Sequence, residues 1–338
     1  MNCSARIRIF SLVLGAAVAS GGCSLIDEDR GDCADYELDY QLQLVTNLTT
    51  ELETELSLTA DIAAKTALQN YLHSVFTDFA HDVDLSFYDV QGDSLRLHHE
   101  AHTMNDNQRS YSLNIPVRRY MHLAVANLDG NGVATLGHDS HCHTARFMST
   151  PSDTLPPQRT GLFSARLPMD IREGEDQTFG VSLYMVNASF ALVADTTGSH
   201  IRGLEAYGTG LAREFSVCDS LFRFDDRLVI RTEDLSTDTP GELVMASVCF
   251  PSRGQRLPAK SDEEAETLWE IHAYATLADG KVTETVLQLS EPLLAGQFRV
   301  VKVQTNPDGS LTPKQPTVGA SVTLDWKQGI DDDIPLGG

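Results

Sequence analysis

Apolar residues recurring at every second position constrain this chain more than any other feature. Tyr36, Leu38, Tyr40, Leu42 and Leu44 alternate with Glu37, Asp39, Gln41 and Gln43. Successive side chains of a strand point to opposite faces, so this segment has one apolar and one polar face. The same period returns at Val83-Leu85-Phe87, Tyr111-Leu113-Ile115-Val117, Met121-Leu123-Val125, Phe179-Val181-Leu183-Met185 and Trp269-Ile271-Ala273-Ala275-Leu277. Turn signals punctuate the runs at Gln91-Gly92-Asp93, Asp129-Gly130-Asn131-Gly132 and Ala278-Asp279-Gly280-Lys281. Strands and turns at this spacing predict an all-β chain of sandwich type. One segment obeys another period. Ala64, Leu68, Leu72, Val75, Phe76 and Phe79 form a stripe with helical spacing, which predicts a single helix in the N-terminal half. Thr59 or Asp61 would start it. A helix with one apolar stripe belongs across the face of a sheet.

At 338 residues the chain is long enough for two domains. The best linker is Ser149-Thr150-Pro151-Ser152-Asp153-Thr154-Leu155-Pro156-Pro157, because proline favours extended backbone and interrupts sheets. The predicted organisation is a β-sandwich domain over 23–150, a linker over 151–160 and a second β-sandwich domain over 161–338. Phe298–Val300 and Val322-Leu324-Trp326 read as its closing strands.

The first 22 residues read as an export signal. Arg6 and Arg8 precede a short apolar run from Ile9 to Ala19, too short to span a bilayer. Ser20-Gly21-Gly22-Cys23 then resembles a lipobox, which makes Cys23 the expected site of acylation. Two or three acyl chains on one residue give stable membrane attachment. The acidic run Asp27-Glu28-Asp29 follows at once and resembles a signal for the outer face of the outer membrane. The expected location is therefore the cell outer membrane, lipid-anchored and facing outward. An oxidising exterior also favours disulfides. With Cys3 in the signal and Cys23 acylated, Cys33, Cys142, Cys218 and Cys249 remain, and they allow three connectivities. The domain split favours Cys33–Cys142 and Cys218–Cys249.

The formal net charge of −23 repels phosphate backbones, so nucleic acid is excluded as a partner. No Gly-x-Ser-x-Gly, His-Glu-x-x-His, P-loop or Cys-x-x-Cys pattern occurs, and neither a catalytic residue nor a cofactor is expected. Histidines gather at His98, His99 and His102, and again at His138, His141 and His143 around Cys142. Such spacing suits zinc or copper. The plainer expectation is exposed histidines beside a disulfide, with no metal.

Several segments, taken in order, resemble one family. Cys23 and Cys33 precede the strand Tyr36–Leu44, and a helix follows. Next come Leu85-Ser86-Phe87-Tyr88-Asp89-Val90-Gln91-Gly92 and Tyr120-Met121-His122-Leu123-Ala124-Val125-Ala126-Asn127-Leu128. Val322-Thr323-Leu324-Asp325-Trp326 closes the chain, followed by Asp331 to Asp333. Together they resemble the fimbrial anchor lipoproteins of Bacteroides-type bacteria. The resemblance implies two tandem transthyretin-like β-sandwich domains and a non-enzymatic role. It also implies that fimbrial shaft subunits are the partners, seated at the outer membrane and limited in length, with strand addition as the joint. The competing expectation is a surface lipoprotein of the same fold that binds glycans or host proteins. Trp269 and Trp326, both on apolar faces of predicted strands, count against sugar stacking.

Overall fold

The structure, a computed structural model, describes residues 38–45, 62–77, 79–91, 94–104, 110–137, 140–236, 241–254 and 267–323. The signal segment, Cys23, the acidic run after it, Cys33, Thr59, Asp61, His138, Trp326 and the acidic C-terminal residues lie outside the described residues.

The elements, in chain order, begin with β1 (Leu38–Val45), α1 (Ile62–Val75), β2 (Asp82–Asp89), β3 (Arg96–Thr103), β4 (Ser110–Leu113) and β5 (Arg119–Ala126). Next are β6 (Ala134–Gly137), β7 (Arg146–Ser149), β8 (Thr154–Leu155), β9 (Phe163–Asp170), β10 (Gln177–Met185) and β11 (Ala188–Asp195). The chain continues with β12 (Ile201–Thr209), β13 (Ala212–Ser216), β14 (Leu221–Phe224), β15 (Val229–Arg231), β16 (Glu233–Asp234) and β17 (Glu242–Cys249). It closes with β18 (Trp269–Leu277), β19 (Val282–Leu289), β20 (Phe298–Thr305), β21 (Leu311–Pro313) and β22 (Val318–Thr323). The fold is all-β with one helix and is built of sandwiched sheets.

Alternation in sequence becomes burial in space. Leu38, Tyr40 and Leu42 are buried while Gln41 and Gln43 are exposed. On α1, Ala64, Leu68, Leu72 and Val75 are buried, joined by Tyr71 and by Phe76 just beyond it. This stripe packs into one cluster with Tyr40, Leu85, Phe87 and Tyr120 of a seven-stranded sheet ordered β3-β2-β5-β9-β10-β1-β4. The same cluster takes in Ala191, Val193, Val244, Ala246 and Val300 from a five-stranded sheet ordered β16-β17-β11-β20-β21. That second sheet is covered on both sides. Its other face presents Phe190, Leu192, Met245, Val301 and Val303 to a six-stranded sheet ordered β22-β19-β18-β12-β15-β8. A strand covered on both faces has no polar side, which is why β11 reads Ala-Ser-Phe-Ala-Leu-Val-Ala without alternation. Phe190 is central to the packing. It lies 5.4 Å from Trp269 between ring centroids, and a Cβ at Gly208 would come within 2.8 Å of its ring.

Strands from both sides of 151–160 share sheets. β9 and β10, expected in the second module, belong to the seven-stranded sheet, where β10 lies parallel to β1 from Leu38↔Gln177 to Val45↔Tyr184. The proline-rich stretch is built in rather than strung between modules. Its Thr154–Leu155 pairs in parallel with Val229–Ile230, and Leu155 is buried. β6 and β7 in turn pair with β13 and β14 from the later half in a four-stranded sheet ordered β14-β13-β7-β6. Proline forbids a donated ladder bond but not a short edge strand, so composition there could not separate a tether from an edge.

Candidate functional site: a cleft between two splayed strands

β9 and β10 are consecutive strands that scarcely pair. Their ladder holds Tyr184↔Ser164 and Met185↔Phe163, after which the strands part. At the far end the loop is braced by side chains. The Gln177 amide donates to the Asp170 carbonyl at 3.1 Å and accepts from the Arg172 N–H at 2.9 Å. Each strand is secured from outside instead, β9 by β5 from Arg119↔Asp170 to Ala126↔Phe163 and β10 by β1. Between them a cleft of about 630 Å³ opens, within the size range of pockets that hold small ligands or short peptide stretches.

One bank of the cleft is Ser164 to Leu167, the other Gly180 to Ser182, and Phe215, Val217 and Phe222 close it from the four-stranded sheet. Phe215 and Phe222 lie 4.7 Å apart between ring centroids and continue into a buried cluster with Phe147 and Phe250. The lining also includes Tyr184, which is 60% exposed, and Leu221 beside it in sequence to Ser220 and Phe222 is 62% exposed. Among the described residues of the lining, Arg166 alone is charged, so the cleft does not share the acidic character of the whole chain. Gly180 keeps its bank low: a Cβ there would meet nothing within 4 Å. A glycine inside a strand often marks close approach by another backbone.

A buried polar contact joins β1, the partner of β10, to β5, the partner of β9. The Tyr40 hydroxyl on β1 lies 2.6 Å from Nε2 of His122 on β5, and His122 Nδ1 is 3.1 Å from the Ser86 carbonyl. The imidazole stacks on Phe87 at 4.2 Å. Burial holds its pKa down to about 3, against a weaker opposing pull from the Ser86 carbonyl, so the ring is neutral at pH 7. Burial likewise pushes the Tyr40 hydroxyl well above its ordinary range.

The residues singled out in the sequence fall elsewhere. Alternation along β3 divides the first histidine group. His98 and His102 face Glu100 at 2.6 and 2.8 Å, while His99 turns to Asp84 at 2.8 Å on the other face. His141 and His143 lie side by side at 5.5 Å between ring centroids at the 3-10 turn Cys142–Thr144. Cys142, Cys218 and Cys249 are buried free thiols. Cys218 lies with Cys142 in the cluster beneath the cleft, whereas Cys249 belongs to the core between the five- and six-stranded sheets. The pairing Cys218–Cys249, favoured by the domain split, is therefore not the arrangement found. Trp269 is buried with its indole N–H donating to the Glu291 carbonyl at 2.9 Å. The cleft itself went unread. The alternation of Phe179, Val181, Leu183 and Met185 runs past it unbroken, with Gly180 at one of the intervening positions.

The class that the chain falls into is a layered β-sandwich protein with an apolar cleft between two parted strands. No protein-family model and no curated protein matches the chain, but solved structures do. A candidate adhesin from Bacteroides ovatus is similar at a TM-score of 0.52 and 11% identity, over 88% of this chain and 97% of that one. A second structure of a candidate adhesin from Bacteroides ovatus ATCC 8483 gives 0.50 and 12%, over 82% and 94%. The fimbrial anchor protein Mfa2 from Porphyromonas gingivalis gives 0.47 and 9%, over 86% and 98%. At these identities the likeness to the Bacteroides structures is one of fold: the all-β sandwich architecture that the sequence resemblance implied is the architecture found.

Proposed function

We propose that this protein is a non-enzymatic surface lipoprotein that anchors fimbriae to the outer membrane and limits their length. Cys23 carries the lipid, and the cleft between β9 and β10 receives an extended segment of a fimbrial shaft subunit. The observation that carries this reading is the parting of two strands inside a sheet. Their facing edges offer main-chain groups to a third strand, and Phe215, Phe222 and Tyr184 offer apolar contacts to its side chains. Strand addition of this kind gains affinity from the ladder and specificity from alternate pockets. An acidic exterior with one basic residue in the cleft suits a segment carrying a carboxylate near Arg166. The glycan-binding alternative has less support, since Trp269 is committed to the core.

Gly180→Trp tests the joint. A Cβ at this position meets nothing within 4 Å, so the variant should be exported and stable yet shed fimbriae into the medium. Cys23→Ala should shed protein and fimbriae together. Cell-bound fimbriae of normal length in both variants would end the proposal.

A further inference from the structure

We propose that Cys142 and Cys218 are joined by a disulfide in the exported protein, fixing the wall of the cleft to the 3-10 turn behind it. The backbone brings the two residues together. β13 pairs with β7 from Glu214↔Met148 to Ser216↔Arg146, and the Val217 N–H continues the ladder to the Ala145 carbonyl at 3.0 Å. Two strands in that register carry Cys218 past Ala145 and into the turn that begins at Cys142. The turn is itself held, with the Cys142 N–H donating to the Ser94 carbonyl at 3.0 Å and the Ala145 N–H to the Cys142 carbonyl at 3.1 Å. Both side chains lie in the same buried cluster. Cys249 faces the other core and remains a free thiol on this reading.

The step is thiol–disulfide exchange with a protein or small-molecule disulfide of the oxidising exterior. One cysteine thiolate attacks the oxidant's S–S bond, forming a mixed disulfide and expelling one thiolate. The second cysteine, having lost its proton, attacks the sulfur of the first and expels the other. The two cysteines together lose two protons and two electrons, and the oxidant gains the electrons as two thiols. Timing follows from burial. Burial, reinforced by the Cys218 contact, pushes the Cys142 thiol up to about 12, so little thiolate exists once the cluster has closed. Oxidation therefore belongs to folding and not to the finished surface. The consequence reaches the cleft, because Val217, Ser220 and Phe222 on either side of Cys218 line it. The proposal stands whether or not a fimbrial subunit is the occupant.

The test is a peptide map of the full-length protein, exported to an oxidising compartment and denatured in excess alkylating reagent. The expected result is one cross-linked pair joining the Cys142 and Cys218 peptides, with Cys249 alkylated. On non-reducing gels the protein should migrate faster than after dithiothreitol. Cys142→Ser and Cys218→Ser should each abolish that difference, and Cys249→Ser should keep it. Complete alkylation of Cys142 and Cys218, or a Cys218–Cys249 link, would overturn the assignment. Because the map is read on the unmutated chain, it decides the matter even if a variant fails to fold.

Discussion

β10 and β11 follow one another in sequence and could hardly be used more differently. β11 is paired along both edges, antiparallel with β17 from Ala188↔Cys249 to Asp195↔Glu242 and parallel with β20 from Ser189↔Phe298 to Asp195↔Gln304. It is buried on both faces as well. β10 is paired in full only with β1, touches β9 at two positions, and exposes Tyr184 and Gly180 along an open edge. One strand holds the sheets together, and its neighbour keeps an edge free. Proteins usually protect open edges because they invite pairing, and the proposed strand addition needs one left open beside the cleft.

That contrast can be broken from the β11 side first. Phe190→Ala removes a fully buried ring between two sheets, and the cavity against Trp269 has little room to collapse. The expected loss is about 4–5 kcal/mol in a urea titration of the mature protein. A loss below about 1 kcal/mol would mean that β11 is not the central layer described here.

The next largest effect is expected on acidification, at the contact that secures β1 and through it β10. His122 accepts a proton near pH 6.5 in the unfolded chain, but the folded site resists protonation down to about 3. Between those values the unfolded state binds more protons, so stability falls as pH drops. The fall should be on the order of 3–4 kcal/mol from pH 7 to 3, and His122→Gln should flatten it. Unchanged acid sensitivity in that variant would remove His122 from the account.

A smaller effect of opposite sign is expected at β18. His272 lies between Glu270 at 3.3 Å and Glu284 at 3.4 Å on the six-stranded sheet. Burial pulls its pKa down, but the hydrogen bonds and charges of the two carboxylates outweigh burial, and the net shift is upward. Its contribution is complete below pH 6.5 and is lost as pH rises through the higher folded value. Melting at pH 6 and pH 9 should therefore differ less in His272→Gln than in the unmodified protein.

The smallest effects should come from the open edge itself. Tyr184→Ala and Gly180→Ala should change stability by less than about 0.5 kcal/mol, since one side chain is mostly in water and the other position has empty space before it. A large loss at either would show that the edge is packed in the free protein and not open.

The same two strands show what was legible beforehand. The alternation Val181, Leu183 and Met185 named the buried face of β10 correctly, as Leu38, Tyr40 and Leu42 did for β1, and the helical stripe from Ala64 to Phe76 found its core. A period of two states which side chains turn inward. It does not state which strand lies alongside, and so the parallel pairing of β10 with β1 could not be read from either segment. Nor does a period of two say which cysteines meet: Cys218 and Cys249 lie in different clusters, and Cys33 lies outside the described residues. The cleft was invisible for a deeper one: it consists of hydrogen bonds that two adjacent strands do not make, and nothing in either segment alone encodes that.

Photo-crosslinking in living cells addresses the central claim most directly. A benzophenone amino acid placed at position 180 of the full-length chain reaches only what enters the cleft. The account predicts an adduct with a fimbrial shaft subunit, mapped to a single extended segment, and no such adduct when the same group replaces the exposed Arg172. Fimbriated cells that yield no adduct at position 180, or equal adducts at both positions, would contradict it.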